Sequence, residues 1–79
     1  MRTVYLIQRV EYPTQTYVGT TSDFNFRLKQ HNAGRSPHTS KYAPWKLVVT
    51  IQFSDKHKAN AFERYLKPGS GRAFAKRHF

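Results

Sequence analysis

The sequence has no cysteine, only four acidic residues and no long hydrophobic run. Without cysteine, disulfide bonds and cysteine-ligated zinc are excluded, so packing must stabilise the fold. The apolar run near the N-terminus is too short for a secretory signal, and no segment approaches the about 18 apolar residues of a transmembrane helix. We therefore expect a cytoplasmic protein with one domain, residues 1–79.

Positive charge is the most prominent compositional feature. Fourteen Lys and Arg against four acids give a net charge of +10, spread along the chain. Such a charge favours a polyanionic partner, nucleic acid above all, although a merely solvated basic surface is the alternative. A membrane surface is disfavoured because no basic amphipathic helix with a broad apolar face stands out. The scarcity of carboxylates also disfavours a site with two metal ions.

Two short segments rich in β-branched and aromatic residues predict a β-hairpin. They run from Thr3 to Arg9 and from Thr16 to Thr20, and Pro13 lies between them. A turn near residue 11 would bring Tyr5 and Tyr17 nearly opposite each other on one sheet face. A third strand is predicted from Trp45 to Phe53, where apolar residues alternate as on a strand with one buried face.

A first helix is predicted between a cap at Ser22 or Asp23 and a stop at Gly34. Arg27 and His31 are four residues apart, so they lie on one side of this helix at the edge of its buried stripe. From there both side chains can reach a cleft between helix and sheet.

Ser54-Asp55 is predicted to cap a second helix, whose inward stripe is Ala59, Phe62, Glu63 and Leu66. Glu63 is the only charged member of this stripe. A buried carboxylate costs several kcal/mol unless it is paired or bound to a metal. Its position therefore predicts either an ion pair, for which Arg27 is a candidate, or a metal ligand.

The remaining segments are irregular or short. Arg35 to Pro44 is predicted to be a loop, Lys67 to Gly71 to end the second helix, and Arg72 to His78 to form a short basic helix or turn. The Gly-Ser-Gly of residues 69–71 superficially resembles a phosphate-binding loop. The rest of a Walker pattern is missing, so nucleotide binding is not expected.

Two tripeptides, followed by an arginine and a glutamate, carry a family resemblance. The tripeptides are Thr3-Val4-Tyr5 and Tyr17-Val18-Gly19, and Arg27 and Glu63 follow them. With these residues in this order, the chain resembles the GIY-YIG nuclease superfamily over nearly its whole length. Thr3 stands where the first signature begins with Gly, and Gly19 would be a structural residue of the second. The resemblance implies an α+β fold with a three-stranded antiparallel sheet flanked by helices, in the order β-β-α-β-α with a short C-terminal helix.

The resemblance also implies hydrolysis of phosphodiesters with one divalent metal, Mg²⁺ or Mn²⁺, leaving a 5′-phosphate and a 3′-hydroxyl. Tyr5 and Tyr17 would be the family's tyrosines, Arg27 its catalytic arginine and Glu63 its metal ligand. His31 resembles the family's residue one helical turn after the arginine, which is His or Tyr. Whether Tyr5, Tyr17 or His31 is the general base is left open.

Candidate nucleic-acid contacts are spread over loops and helix ends. They are Thr20, Lys29, His38, Lys41, Tyr42, Lys58, Lys67, Ser70, Arg72 and Lys76. Thr20 takes the place of a Lys found in some repair members, and none of the residues after Glu63 matches an Asn that many members carry. Tyr12, Tyr42 and Trp45 could stack on unpaired bases, with core packing the favoured alternative for Trp45.

Together these features predict a metal-dependent DNA endonuclease, with single-stranded DNA among its candidate substrates and a protein targeting partner as an option. Related domains act in excision repair, homing and restriction. The alternative is a non-catalytic DNA- or RNA-binding module that keeps the fold, and a structural scaffold comes third. Each site residue also has an ordinary structural interpretation, such as a sheet aromatic for Tyr5 or a solvated charge for Arg27.

Overall fold

A computed structural model describes residues 1–33 and 42–79 of the chain. Its elements are β1 (Arg2–Arg9), β2 (Thr16–Thr21), α1 (Phe24–Asn32), β3 (Trp45–Phe53), α2 (Lys56–Leu66) and α3 (Gly69–His78). The strands form one antiparallel sheet in the order β2-β1-β3. The predicted α+β fold is confirmed. No helix within the described ranges is long and apolar enough to cross a membrane.

Strand β1 is central and buried on both faces, which explains its nearly continuous apolar sequence. On one face Val4 packs with Ala59 and Leu66 beneath α2 and α3. On the other, Tyr5 and Ile7 form a second cluster, against which Phe24 and Leu28 of α1 pack. The sheet thus separates an α2/α3 layer from an α1 layer.

The hairpin between β1 and β2 pairs in a different register from the predicted one. Tyr5 lies opposite Gly19, and Tyr17 lies opposite Ile7. The connecting loop reaches Gln15, whose carbonyl accepts from the Arg9 amide at 3.0 Å. The shift from the expected pairing is two residues, an even number, so the two tyrosines still share one sheet face.

Strand β3 contains an irregularity that the alternating pattern did not predict. Leu6 pairs with Val49 but Ile7 pairs with Leu47, which leaves Val48 as an extra residue. Odd-numbered side chains before and after the bulge therefore face opposite layers: Trp45 packs in the α1 layer and Phe53 in the α2/α3 layer. The prediction of a single buried face for β3 is wrong, and the predicted burial of Trp45 is confirmed.

Helix α1 is held at both ends by side chains. At its start, Asp23 Oδ1 accepts from the Phe26 amide at 3.1 Å, which selects Asp23 from the two predicted caps. At its end, the Asn32 side chain bonds to both backbone groups of Trp45: Oδ1 accepts from the amide at 2.6 Å and Nδ2 donates to the carbonyl at 3.2 Å. The predicted stop at Gly34 lies outside the described residues.

Helices α2 and α3 follow each other almost directly. Asp55 caps α2 as predicted, accepting from the His57 amide at 2.8 Å. Helix α3 begins at Gly69 instead of Arg72, with Pro68 as its N-cap, so the predicted connecting segment is largely helical. Gly71 permits this arrangement because a Cβ there would lie 1.7 Å from the Tyr65 carbonyl oxygen.

Candidate active site

A hydrogen bond between Tyr5 and His31 lies at the centre of the α1 layer. The Tyr5 hydroxyl is 2.8 Å from His31 Nε2, and it joins the central strand to the first helix. His31 is 0% exposed. His31 is therefore not an ordinary exposed histidine on a helix surface.

Tyr17 completes a cluster of three rings. Its ring centroid lies 6.2 Å from that of Tyr5 and 5.1 Å from that of His31, which it meets edge to face. Tyr17 is only half-buried, whereas Tyr5 is buried. The exposed part of the cluster is thus the Tyr17 side.

Gly19 is required by the close approach of the Tyr5 ring. An added Cβ at Gly19 would lie 2.5 Å from the Tyr5 hydroxyl oxygen and 2.7 Å from Tyr5 Cζ. The phenol therefore lies directly over the neighbouring strand, in space that a side chain would fill. This contact gives a physical reason for the glycine in the second signature.

Arg27 lies one turn before His31 on α1 and is half-buried. Its Nη1 donates to Gln30 Oε1 at 3.1 Å. A hydrogen bond to the Tyr5 hydroxyl raises the pKa of Arg27 further, with a smaller contribution from Tyr17. Arg27, Tyr5, Tyr17 and His31 are thus brought together as the sequence suggested.

The environment keeps the Tyr5 phenol protonated near neutral pH. Burial raises the pKa of Tyr5, and the hydrogen bond from Arg27 opposes that rise without cancelling it. The negative charge of Glu63 also raises the pKa of Tyr5, as the smallest of these effects. Tyr5 can therefore accept a hydrogen bond from Arg27 and donate one to His31.

The same environment favours neutral histidine. Burial lowers the pKa of His31, and the charge of Arg27 lowers it further. A neutral imidazole has one nitrogen that accepts a hydrogen bond, and the Tyr5 hydroxyl is placed to donate to Nε2. The site thus contains a neutral phenol and imidazole beside a permanent guanidinium charge.

Glu63 occupies the apolar stripe of α2 as predicted, between buried Ala59 and Leu66. Its side chain is 17% exposed, and Oε2 pairs with Lys67 Nζ at 2.5 Å. Glu63 thus pairs with Lys67 and not with Arg27, the partner that the sequence had suggested. Because Lys67 is exposed and one helical turn away, this pair is the kind that contributes about 0.3–0.5 kcal/mol.

The oxygen donors of the chain fit only one kind of divalent-metal site. Within residues 1–33 and 42–79, no group of three or more His, Asp or Glu is arranged to hold a metal ion. Mg²⁺, however, keeps several waters and is often bound by one or two carboxylates together with substrate phosphates. A single, largely buried Glu63 fits that mode of binding, and it does not fit a site built wholly from protein ligands.

The predicted nucleic-acid contacts divide into two groups. A groove of about 880 Å³ is lined by Tyr17 and Tyr42 and by three cations, Lys67, Arg72 and Lys76. The others described do not line it: Thr20 accepts from Arg2, and the exposed remainder are Lys29, Lys58 and Ser70. His38 and Lys41 lie outside the described residues.

Two interactions were missed by sequence reasoning. The Asn32 bonds to Trp45 tie α1 to β3 across 13 residues. Arg9 lies between the rings of Tyr12 and Tyr42, with its Cζ 4.6 Å and 4.8 Å from their centroids. The aromatics near loops were a signal for the second, but nothing local connects residue 9 to residue 42.

Comparison with known proteins gives consistent matches. Residues 1–77 match the family described as GIY-YIG catalytic domain. Over 57 residues the chain is 40% identical to a structure-specific endonuclease subunit SLX1 homolog of Giardia intestinalis, covering 67% of this chain and 16% of that protein. Over 71 residues it is 35% identical to structure-specific endonuclease subunit SLX1 of Candida dubliniensis, covering 81% of this chain and 25% of that protein. The chain thus spans a quarter or less of the length of these relatives.

Proposed function

This chain belongs to the GIY-YIG catalytic-domain family, and from that membership we propose that it is a metal-dependent DNA endonuclease that hydrolyses phosphodiester bonds. The observation that carries the proposal is the convergence of Tyr5, Tyr17, Arg27 and His31 in one layer. Glu63 lies on α2, in the other layer, in an apolar stripe where a carboxylate needs a partner. The order of these residues along the chain matches the family signatures that the sequence presents.

Arg27 is proposed to bind the scissile phosphate. A guanidinium remains charged and offers forked donors to phosphate oxygens, so it can stabilise the charge that develops there in the transition state. Its bond to Gln30 and its interaction with the two tyrosines hold it in place before substrate binds. No reorganisation of the side chain is then needed during the reaction.

Tyr17 is proposed to contact the attacking water. Tyr5 is buried and its hydroxyl bonds to His31, so it has little access to a nucleophile. Tyr17 is half-buried and lies against the His31 ring. In this scheme the Tyr17 hydroxyl orients the water through a hydrogen bond, while Tyr5 and His31 hold the Tyr17 ring in place.

Glu63 is proposed to hold one Mg²⁺ or Mn²⁺. When bound, the metal would stabilise negative charge on the phosphate and the leaving oxygen. Lys67 Nζ forms an ion pair with Glu63 Oε2. Lys67 is exposed, so it can turn away when the carboxylate binds a cation.

DNA is proposed as the substrate because the chain carries a net charge of +10 and because its relatives are named structure-specific endonucleases. We propose single-stranded or branched DNA in particular. The relatives are also named as subunits, which makes a targeting protein partner part of the proposal.

The test is cleavage of labelled single-stranded, duplex and branched DNA, and of RNA, with Mg²⁺, Mn²⁺ or EDTA. Wild type should give metal-dependent products from at least one DNA, and both Glu63→Ala and Arg27→Ala should abolish them. Arg64→Ala, which removes an exposed cation on the same helix as Glu63, is the matched control and should retain cleavage. Tight, salt-sensitive binding with no cleavage of any substrate would instead support a non-catalytic binding module.

A further inference from the structure

A stack of one arginine between two tyrosines lies at the hairpin end of β1. The guanidinium of Arg9 lies 4.6 Å from the centroid of Tyr12, in the hairpin loop, and 4.8 Å from that of Tyr42, just before β3. Both tyrosines are exposed, Tyr12 at 56% and Tyr42 at 41% of the residue surface. We call these three residues the Arg9 stack.

The stack is held rigid by its surroundings. Arg9 Nη1 donates to Gln15 Oε1 at 2.6 Å, and the Val10 amide donates to the Pro44 carbonyl at 3.1 Å. The two loops that carry the tyrosines are therefore fixed to each other. Exposed aromatic rings held in this way lose little conformational freedom when a flat ligand stacks on them.

The Arg9 stack lies on the same sheet face as the candidate active site. Tyr5 and Arg9 are four residues apart on β1, an even number, which corresponds to about 13 Å at the rise of a strand. Four nucleotides span a similar distance at the about 3.4 Å rise of a stacked strand, and fewer do so when the strand is extended.

The Arg9 stack itself combines the two elements of a single-strand site. Arg9 supplies a cation for the nucleic-acid backbone, and Tyr12 and Tyr42 supply exposed aromatic rings. This combination binds single strands without reading their sequence. The groove of about 880 Å³ touches Tyr17 and Tyr42, but its cations Lys67, Arg72 and Lys76 belong to the α2/α3 side of the sheet.

We propose that the Arg9 stack binds unpaired DNA bases of a single-stranded segment, within about four nucleotides of the scissile phosphate. This inference rests on the proposed DNA endonuclease activity. Bases would stack on Tyr12 and Tyr42, and the Arg9 charge would attract the adjoining phosphates. The enzyme would then select junctions that carry a single-stranded branch over uninterrupted duplex.

The competing interpretation is structural: the stack would only anchor the hairpin loop to the segment before β3. In that case removing the rings would lower stability and leave the relative affinity for the two kinds of DNA unchanged. The difference in affinity between DNA with a single-stranded flap and flush duplex DNA therefore decides between the two interpretations.

The experiment measures binding in EDTA, where no turnover occurs, to labelled duplexes with a single-stranded flap of zero, four or eight nucleotides. Wild type should prefer the eight-nucleotide flap by about tenfold or more. Tyr12→Ala/Tyr42→Ala should weaken flap binding about tenfold, equivalent to about 1.4 kcal/mol, and change flush-duplex binding less than twofold. Tyr12→Phe/Tyr42→Phe retains the rings and should behave as wild type.

Tyr65→Ala is the matched control, since Tyr65 is 43% exposed and lies on α2, outside the stack. A second readout needs no variant: 2-aminopurine placed at each flap position should be quenched by wild-type protein within four nucleotides of the junction. Quenching at no position, or equal loss of flap and flush binding in the double alanine variant, would overturn the inference.

Parallel cleavage with Mg²⁺ separates this inference from the proposed function. Cleavage with an unchanged flap preference in the double alanine variant overturns the role of the stack and leaves the endonuclease proposal intact. If the double alanine variant loses the flap preference and wild type cleaves no substrate, base stacking is supported and the catalytic proposal is removed.

Discussion

The Tyr5 hydroxyl and His31 Nε2 lie 2.8 Å apart, although 26 residues separate them along the chain. This bond connects the strand that is buried on both faces to the helix that carries Arg27. The candidate site is therefore built into the core of the α1 layer, and changes in its protonation should alter stability as well as activity.

Stability should fall as the pH falls below about 6.5, the ordinary pKa of histidine. Burial lowers the pKa of His31 in the folded chain, so the unfolded chain takes up a proton first and gains stability relative to the folded one. The loss begins near the unfolded pKa and is complete below the folded pKa. Urea unfolding of wild type and His31→Gln between pH 8 and 4.5 should give a flatter profile for the variant. His57→Gln, at an exposed position, is the control; equal slopes for His31→Gln and wild type would contradict the prediction.

Gly19→Ala should displace the Tyr5 ring, because the new Cβ would lie 2.5 Å from its hydroxyl oxygen. Such overpacking typically costs about 1–3 kcal/mol of unfolding free energy, and we expect cleavage to fall at least tenfold. Gly69→Ala is the matched control, since a Cβ there meets nothing within 4 Å, and it should be neutral or slightly stabilising. Unfolding and cleavage assays on both variants check this, and wild-type activity in Gly19→Ala would show that the ring moves without consequence.

Arg27→Lys should lower the cleavage rate about 10²-fold, although it preserves the charge, because an ammonium lacks the forked donors that bind phosphate oxygens. The measurement is single-turnover cleavage at saturating enzyme, which separates chemistry from binding. Lys56→Gln removes an exposed charge at the start of α2 and should change the rate less than threefold. A rate for Arg27→Lys within threefold of wild type would exclude a forked contact in the transition state.

Asn32→Ala should lower the unfolding free energy by about 1–3 kcal/mol, because it leaves the amide and carbonyl of Trp45 without their side-chain partner. Asn25→Ala, at an exposed position of the same helix, should change it by less than about 0.5 kcal/mol. Urea titrations of both variants make the comparison. Similar stabilities would mean that water replaces the lost bonds.

Much of the fold follows from local signals in the sequence. The β-branched and aromatic residues on both sides of Pro13 predicted the hairpin. Asp23, one of two predicted caps, and Asp55 cap the helices that follow them. The helical spacing that grouped Arg27 with His31 was also sufficient to bring them to one site. These features depend on residues within a few positions of each other, which is why the sequence alone reveals them.

The predictions that were wrong depend on contacts between segments that are distant in sequence. Alternation along β3 has no signature for the extra residue at Val48, because the bulge is defined only against Leu6 and Ile7 of another strand. Glycines 69 and 71 suggested a break, but Pro68 caps a helix there and Gly71 allows its close approach to α2. The burial of His31 depends on tertiary packing against the ring of Tyr5.

The bulge at Val48 has a further consequence for how this small chain can vary. Because the bulge reverses the alternation of side chains, Trp45 packs in the layer of the ring cluster, whereas Phe53, also odd-numbered, packs with α2 and α3. The even-numbered residues after the bulge, Thr50 and Gln52, face the α1 side beside Phe24. Substitutions at Phe53 can therefore remodel the helical support while Trp45 keeps its packing against the ring cluster.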